Sequence, residues 1–306
     1  MSVAKVRQAC ESVVTINVTP FRADGDIDTD AYAALVDRCV AAGIDVVTAN
    51  GNTGEFYALD HAEQALAVTL TVEGNAGRAV VLAGVGHSAR QAATEAVAAG
   101  AAGADGVMVH QPVHPYQSTD GWVDYHRQIA DAVPDLGVVC YVRSPLLGAD
   151  AFGRLADACP NVVGVKYAVP DPIALADLIG AVGPGRLAWS CGLAESWAPY
   201  FWLSGARGFT SGLATVAPEQ SLALLDRLRA SQFLEAMAVW QRLRPFEDMR
   251  ARRANALNVS VVKEALAQLG LCRADVRPPI GPLSEPERAE VRTILAGLTV
   301  PAAVSV

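Results

Sequence analysis

Short apolar runs and helix-like stretches alternate along this chain with a regularity that few folds can absorb. β-Branched and small apolar residues fill 13–18, 44–49, 79–83, 106–109, 137–141, 162–166, 187–190 and 208–210. Between them, 30–42, 61–73, 89–101, 122–133, 151–158, 173–182, 194–203 and 218–230 carry apolar side chains at i, i+3 and i+4 or are alanine-rich, which is the helical period. Gly and Asp mark the junctions, as at Ala42-Gly43, Ala99-Gly100 and Asp135-Leu136-Gly137. Eight consecutive strand–helix units predict an α/β fold, a closed (β/α)8 TIM barrel over residues 1–230. An open doubly wound sheet competes, but no complete G-x-G-x-x-G fingerprint is present. Past Ala230 the strand signal stops. Residues 233–242, 253–269 and 285–296 read as three further helices, a C-terminal helical extension over 231–306. Arg277-Pro278-Pro279-Ile280-Gly281-Pro282 is a rigid connector between the last two.

In such a barrel, chemistry sits at the C-terminal ends of the strands. Lys166 closes the sixth run, Asn161-Val162-Val163-Gly164-Val165-Lys166. A buried ammonium is costly because desolvation disfavours the charged form, and proteins keep one where a lowered pKa is useful, as in imine-forming lysines. Strict alternation turns Val162, Gly164 and Lys166 inward and Val163 and Val165 outward. Gly164 then either leaves room for the lysine stem or meets a simple packing need. Tyr141 ends the neighbouring fifth run and is expected to bring its hydroxyl near Lys166, where a phenol passes protons to and from a carbonyl oxygen. The second run opens into Asn50-Gly51-Asn52-Thr53-Gly54-Glu55-Phe56. Its backbone N–H groups and the Thr53 hydroxyl suit a small carboxylate. The plainer readings are a core tyrosine and an ordinary turn, with Glu55 as a structural acceptor.

Composition removes other classes. The net charge of −8 leaves no basic stripe for nucleic acid. The six cysteines are scattered, with no CxxC pair and no His at ligand spacing, so no metal site is expected and a reduced, cytoplasmic protein is. The first residues lack a signal-peptide apolar core. The most apolar long stretch, 187–206, contains Gly192, Glu195 and Pro199, which fits a strand and helix rather than a membrane span.

Taken together, these motifs resemble one family. Asn50-Gly51-Asn52-Thr53-Gly54-Glu55 is similar to its G-[TS]-T-G-E loop, Leu82-Ala83-Gly84-Val85-Gly86 to its third-strand turn, and Val276-Arg277-Pro278-Pro279 to its C-terminal connector. Tyr141 and Gly164-Val165-Lys166 match its strand-five tyrosine and strand-six lysine. On these residues the chain is identified as a member of the dihydrodipicolinate synthase / N-acetylneuraminate lyase family of class I Schiff-base lyases. The resemblance implies a homotetramer (a dimer of dimers), no metal or organic cofactor, and a small-molecule 2-keto acid as substrate. It implies Lys166 as the imine lysine and Tyr141 as the proton shuttle. Thr53 takes the second position of the carboxylate-binding pair, and Asn52 stands where Thr or Ser is usual. Gly51 belongs to the same loop.

The sequence also departs from the synthases. The position of their substrate-binding arginine holds Leu146, and His114 stands at or near the place of the tyrosine that a neighbouring subunit contributes. Tyr141-Val142-Arg143-Ser144-Pro145 is closer to the 5-dehydro-4-deoxyglucarate dehydratases, as are Gly54-Glu55-Phe56, His87-Ser88-Ala89-Arg90-Gln91 and Ser260-Val261-Val262-Lys263. Tyr167 departs from both, since Asp follows the lysine in many relatives. The reading is a lyase on a 2-keto acid, as a pyruvate-type aldolase or a sugar-acid dehydratase, with Arg143 as a clamp for the distal end of the substrate and His114 as a residue that orients or protonates it. The alternatives are 4-hydroxy-tetrahydrodipicolinate synthase itself and a keto-acid-binding barrel that does not turn over. Thr210 and Ser211, after the eighth run, are expected to bind substrate as well, and a third alternative is a phosphate-binding barrel using the same Gly208-Phe209-Thr210-Ser211-Gly212 segment.

Overall fold

The computed structural model describes residues 3–298. Eight strands close into a barrel in sequence order: β1 (Val13–Ile16), β2 (Val46–Ala49), β3 (Val80–Val85), β4 (Gly106–Val109), β5 (Gly137–Val142), β6 (Val162–Tyr167), β7 (Ala188–Cys191) and β8 (Gly208–Ser211). Every neighbouring pair is parallel, and β8 returns to β1. All strand residues are buried, because the outer face packs on helices and the inner face on other strands. Helices alternate with the strands on the outside, and polar residues at the junctions start them. Asp28, Asp60, Ser88, Ser118 and Asp171 each accept a hydrogen bond from a first-turn N–H, and Asp60 with Glu63 forms a full capping box. Each such cap stabilises its helix by about 1 kcal/mol.

Two features were not legible as periodicity. Helix Val3–Ala9 plugs the N-terminal end of the barrel: Val6 is fully buried among Val14, Val80, Leu82 and Val139. A Cβ on Gly137 would lie 2.6 Å from Val6 Cγ1, so glycine there is what lets the plug seat. At the other end of the chain, the helix expected over 233–242 runs much further, as Phe233–Asn255, straight through Pro245. A helical proline costs roughly 3 kcal/mol. Burial of Leu243, Phe246 and Met249 around it offsets that. The helix breaks only where Arg252 turns to ψ 151° and Arg253 and Ala254 become left-handed (φ 53° and 54°). Helices Asn258–Gln268 and Glu285–Leu298 follow.

Strict alternation fails on β6. Val138 pairs with Val162 but Val139 pairs with Gly164, so Val163 is an extra residue, a β-bulge. Val162 therefore packs outward in the barrel–helix layer, while Val163 joins the barrel interior with Val139 and Ala188. The expected facing of Val162 and Val163 is reversed by this single insertion, whereas Lys166 still faces inward in register with Tyr141.

Candidate active site

Lys166 stands one residue before the end of β6, 5% exposed, beside Met108 and Tyr141. Its Nζ lies 3.9 Å from Met108 Sδ and 4.3 Å from the centroid of the Tyr141 ring. Burial pulls its pKa down to about 7, and the Arg143 and Arg250 guanidiniums push in the same direction. About half of the amine is then neutral at pH 7, against well under ~0.1% for a free lysine. Room for the lysine stem comes from Gly192, not Gly164. A Cβ on Gly192 would lie 3.1 Å from Lys166 Cγ and 2.8 Å from Ala168 Cβ, whereas one on Gly164 would meet Ala188 O at 3.1 Å.

Tyr141 is also buried, and burial raises its pKa, so the phenol keeps its proton at neutral pH. Its ring face lies under the amine while its hydroxyl accepts a hydrogen bond from Asn52 Nδ2 at 3.4 Å. Asn52 thus reaches the phenol from the β2 loop, where an amide donates but does not pass a proton on. The loop is tightly folded. Gly54 N–H and Phe56 N–H bond to Gly51 O, Glu55 N–H bonds to Asn52 O, and Thr19 Oγ1 donates to Gly54 O. Those bonds occupy part of the backbone cradle expected from the sequence, and an anion there would meet Gly51, Asn52 and the buried Thr53. Glu55 is structural. It pairs with the fully buried Lys263 and accepts from Arg277 N–H at 2.9 Å, tying the loop to the C-terminal connector. Burial lowers the pKa of Lys263, and the Glu55 charge opposes that shift.

The remaining sequence candidates are placed unevenly. Arg143 is exposed at the mouth, with its N–H on Gln111 Oε1 at 3.1 Å, and its charge reaches Lys166, Tyr141 and Tyr57. His114 is exposed on the β4 loop, where Nδ1 accepts from Tyr116 N–H at 3.1 Å. Thr210 is buried and its Oγ1 donates to Cys191 O at 3.4 Å. Ser211 is a correction: its hydroxyl faces the helix layer, donating to Glu195 Oε1 at 2.5 Å and accepting from Ala214 N–H at 2.7 Å. One-residue alternation on β8 sends Thr210 and Ser211 to opposite faces. Arg207, just before β8, donates from Nη1 to Trp202 O and Ala206 O. Among the described residues no group of three or more His, Cys, Asp or Glu is placed to hold a metal ion.

Some neighbours of the site had no sequence signal. Met108 and Gly192 matter only through packing. His110 lies beside Tyr141 (6.1 Å between rings), stacks on Phe56 at 4.2 Å and bonds Asn50 O at 2.8 Å, and burial lowers its pKa to about 3, so it is neutral. Arg250 arrives from helix Phe233–Asn255, and its i, i+3 spacing from Glu247 was the only available hint.

The model of the dihydrodipicolinate synthetase family matches residues 9–298. The chain belongs to this family. A dihydrodipicolinate synthase from Oceanobacillus iheyensis superposes with a TM-score of 0.92 at 39% identity, covering 96% of this chain and 98% of that one. A probable 5-dehydro-4-deoxyglucarate dehydratase of Bradyrhizobium diazoefficiens is 31% identical over 94% of this chain and 91% of its own length. A 4-hydroxy-tetrahydrodipicolinate synthase of Phenylobacterium zucineum is 35% identical over 90% and 92%. The protein is therefore a lyase of the dihydrodipicolinate synthetase family, and the similar proteins carry both dehydratase and synthase names. Among the described residues no helix is long and apolar enough to cross a membrane.

Proposed function

We propose that this family member is a class I lyase that binds a 2-keto acid through an imine at Lys166. The buried, carboxylate-free setting that brings this amine to about 7 carries the reading. The neutral amine adds to the C2 carbonyl, and loss of water leaves a protonated imine. That imine is an electron sink, so either a C3 proton leaves and, in a dehydration, a C4 hydroxyl then departs as water, or a C3–C4 bond breaks or forms, and water then releases the lysine. Tyr141 supplies and recovers the proton at the carbinolamine oxygen, worth roughly 10²–10⁴-fold. Gly51, Asn52 and Thr53 seat the carboxylate, with Thr210 lining the far wall. The dehydratase form of the reaction is the better supported. Asn52 holds Tyr141 with an amide in place of a relay hydroxyl, Arg143 brings a carboxylate-binding fork to the mouth, and Leu146 is 84% exposed and uncharged.

Residues 1–230 are proposed as the catalytic barrel, with 231–306 an extension that completes it through Lys263 and Arg250. Exposed Val113, Tyr116 and Leu146 beside the mouth support a homotetramer that covers them, which sedimentation measures directly. Six free thiols fit a cytoplasmic setting. The deciding experiment offers a panel of 2-keto acids and sugar acids with borohydride, reading mass added to the Lys166 peptide and product released. Adducts without product make the protein a binder, and an unmodified peptide with every ketone refutes the imine. Arg143→Lys is expected to lower kcat/KM on the true substrate, and an unchanged value removes the clamp. His114→Asn with a wild-type pH–rate profile removes His114 from the chemistry.

A further inference from the structure

The guanidinium of Arg250 is 4% exposed and held on three sides. Nη1 donates to Glu247 Oε1 at 2.6 Å, Nη2 to Asn258 Oδ1 at 3.0 Å, and Nε to Asn258 O at 3.3 Å. Its open edge lies against Gly212, immediately after β8. A Cβ on Gly212 would be 2.6 Å from Arg250 Nη2 and 3.3 Å from Thr53 Cγ2. Arg250 and Thr53 thus crowd the same point from two sides, one from the C-terminal helices and one from the β2 loop. A buried charge is little screened by solvent, and this one acts on Lys166 across the mouth. Behind it, Glu195 is fully buried, bonded by Ser211 and Ser221 at 2.5 Å, and raised well above the usual carboxylate range by burial and by the Glu247 charge. Glu247 is the carboxylate in direct contact with Arg250. The cation is held in place by its hydrogen bonds to Glu247 and Asn258.

We propose that Arg250 is a positioning residue for the carboxylate end of the substrate: from behind Gly212 it fixes Thr53 in place and supplies the positive field in which the carboxylate of a 2-keto acid settles. This deepens the lyase reading and rests on it. The C-terminal extension is then part of the binding site, since helix Phe233–Asn255 delivers the charge that the barrel itself lacks at this point.

The test uses borohydride trapping of the full-length protein with two ketones, pyruvate and its uncharged ester methyl pyruvate. Arg250→Met is expected to raise half-saturating pyruvate by roughly ten- to a hundredfold, the loss of one charge-assisted interaction, while the saturated trapping rate falls less than about threefold. Half-saturation with methyl pyruvate is expected to change little, because the ester has no charge to seat. A purely structural role would impair both ketones alike. If unpaired Glu247 prevents Arg250→Met from folding, Arg250→Met/Glu247→Gln removes both charges together, and Gly212→Ala independently pushes the fork away from Thr53. Equal losses with both ketones, or unchanged half-saturation for pyruvate, overturn the proposal while wild-type trapping at Lys166 stands. Absence of trapping in the wild type overturns the imine reading and this one with it.

Discussion

Replacing Lys166 by Met is expected to stabilise the fold, and to do so in a pH-dependent way. The amine is fully buried and its pKa falls from an ordinary 10.5 to about 7, chiefly through burial. At about 1.36 kcal/mol for each tenfold change in proton affinity, keeping the proton in the folded protein costs on the order of 5 kcal/mol. The unfolded chain holds that proton up to about pH 10, whereas the folded chain holds it only to about pH 7. Between those values the unfolded state binds more protons, so wild-type stability rises with pH; below about pH 7 the full penalty is present. Met has similar length and no charge, so its variant lacks this dependence. The advantage of Lys166→Met over wild type is therefore expected to be greatest at pH 6 and to shrink by about 3–4 kcal/mol by pH 9.5. Paired urea unfolding curves at fixed protein concentration measure the difference, and all other titrating groups cancel in it. A stability gap that stays constant across this window would refute the reasoning, because it would mean that Lys166 titrates as a free lysine does.

Trapping with pyruvate in wild type is expected to speed up with pH and level off near pH 7, where an ordinary lysine would keep gaining to about pH 10; stopped-time mass spectrometry gives the curve. Tyr141→Phe is expected to lower kcat by roughly 10²–10⁴-fold while the adduct still forms slowly, since the ring that packs under Lys166 remains. Gly192→Ala is expected to slow trapping by about 10²-fold through displacement of the lysine stem, and Gly164→Ala to slow it far less; equal effects would remove Gly192 from its role. Lys263→Met alone leaves Glu55 buried without its partner and is expected to cost about 3–5 kcal/mol, most of it recovered when Glu55→Gln is added, as read from unfolding midpoints.

The barrel was legible because both periods are local. Eight apolar runs bounded by Gly and Asp, each followed by a helix, favour a closed barrel over an open sheet, and in a barrel Lys166 and Tyr141 at the ends of adjacent runs meet at one mouth. Strand ends shifted by a residue or two, as they do when pairing rather than propensity sets the last bond. What the sequence left undecided depended on partners distant in the chain. The bulge at Val163 arises from register against β5, and composition carries no trace of register. Ser211 turned away because Glu195, an ordinary-looking helical glutamate, was waiting behind the sheet. The helix through Pro245 survives on tertiary burial that outweighs a local penalty. Short-range periodicity, Gly and Asp punctuation and one buried lysine determined the fold and the reactive pair. Which side chains surround that pair, and the arrival of Arg250 and Lys263 from the end of the chain, were decided only by packing, because desolvation and Coulomb energy depend on distance in space and not on separation along the sequence.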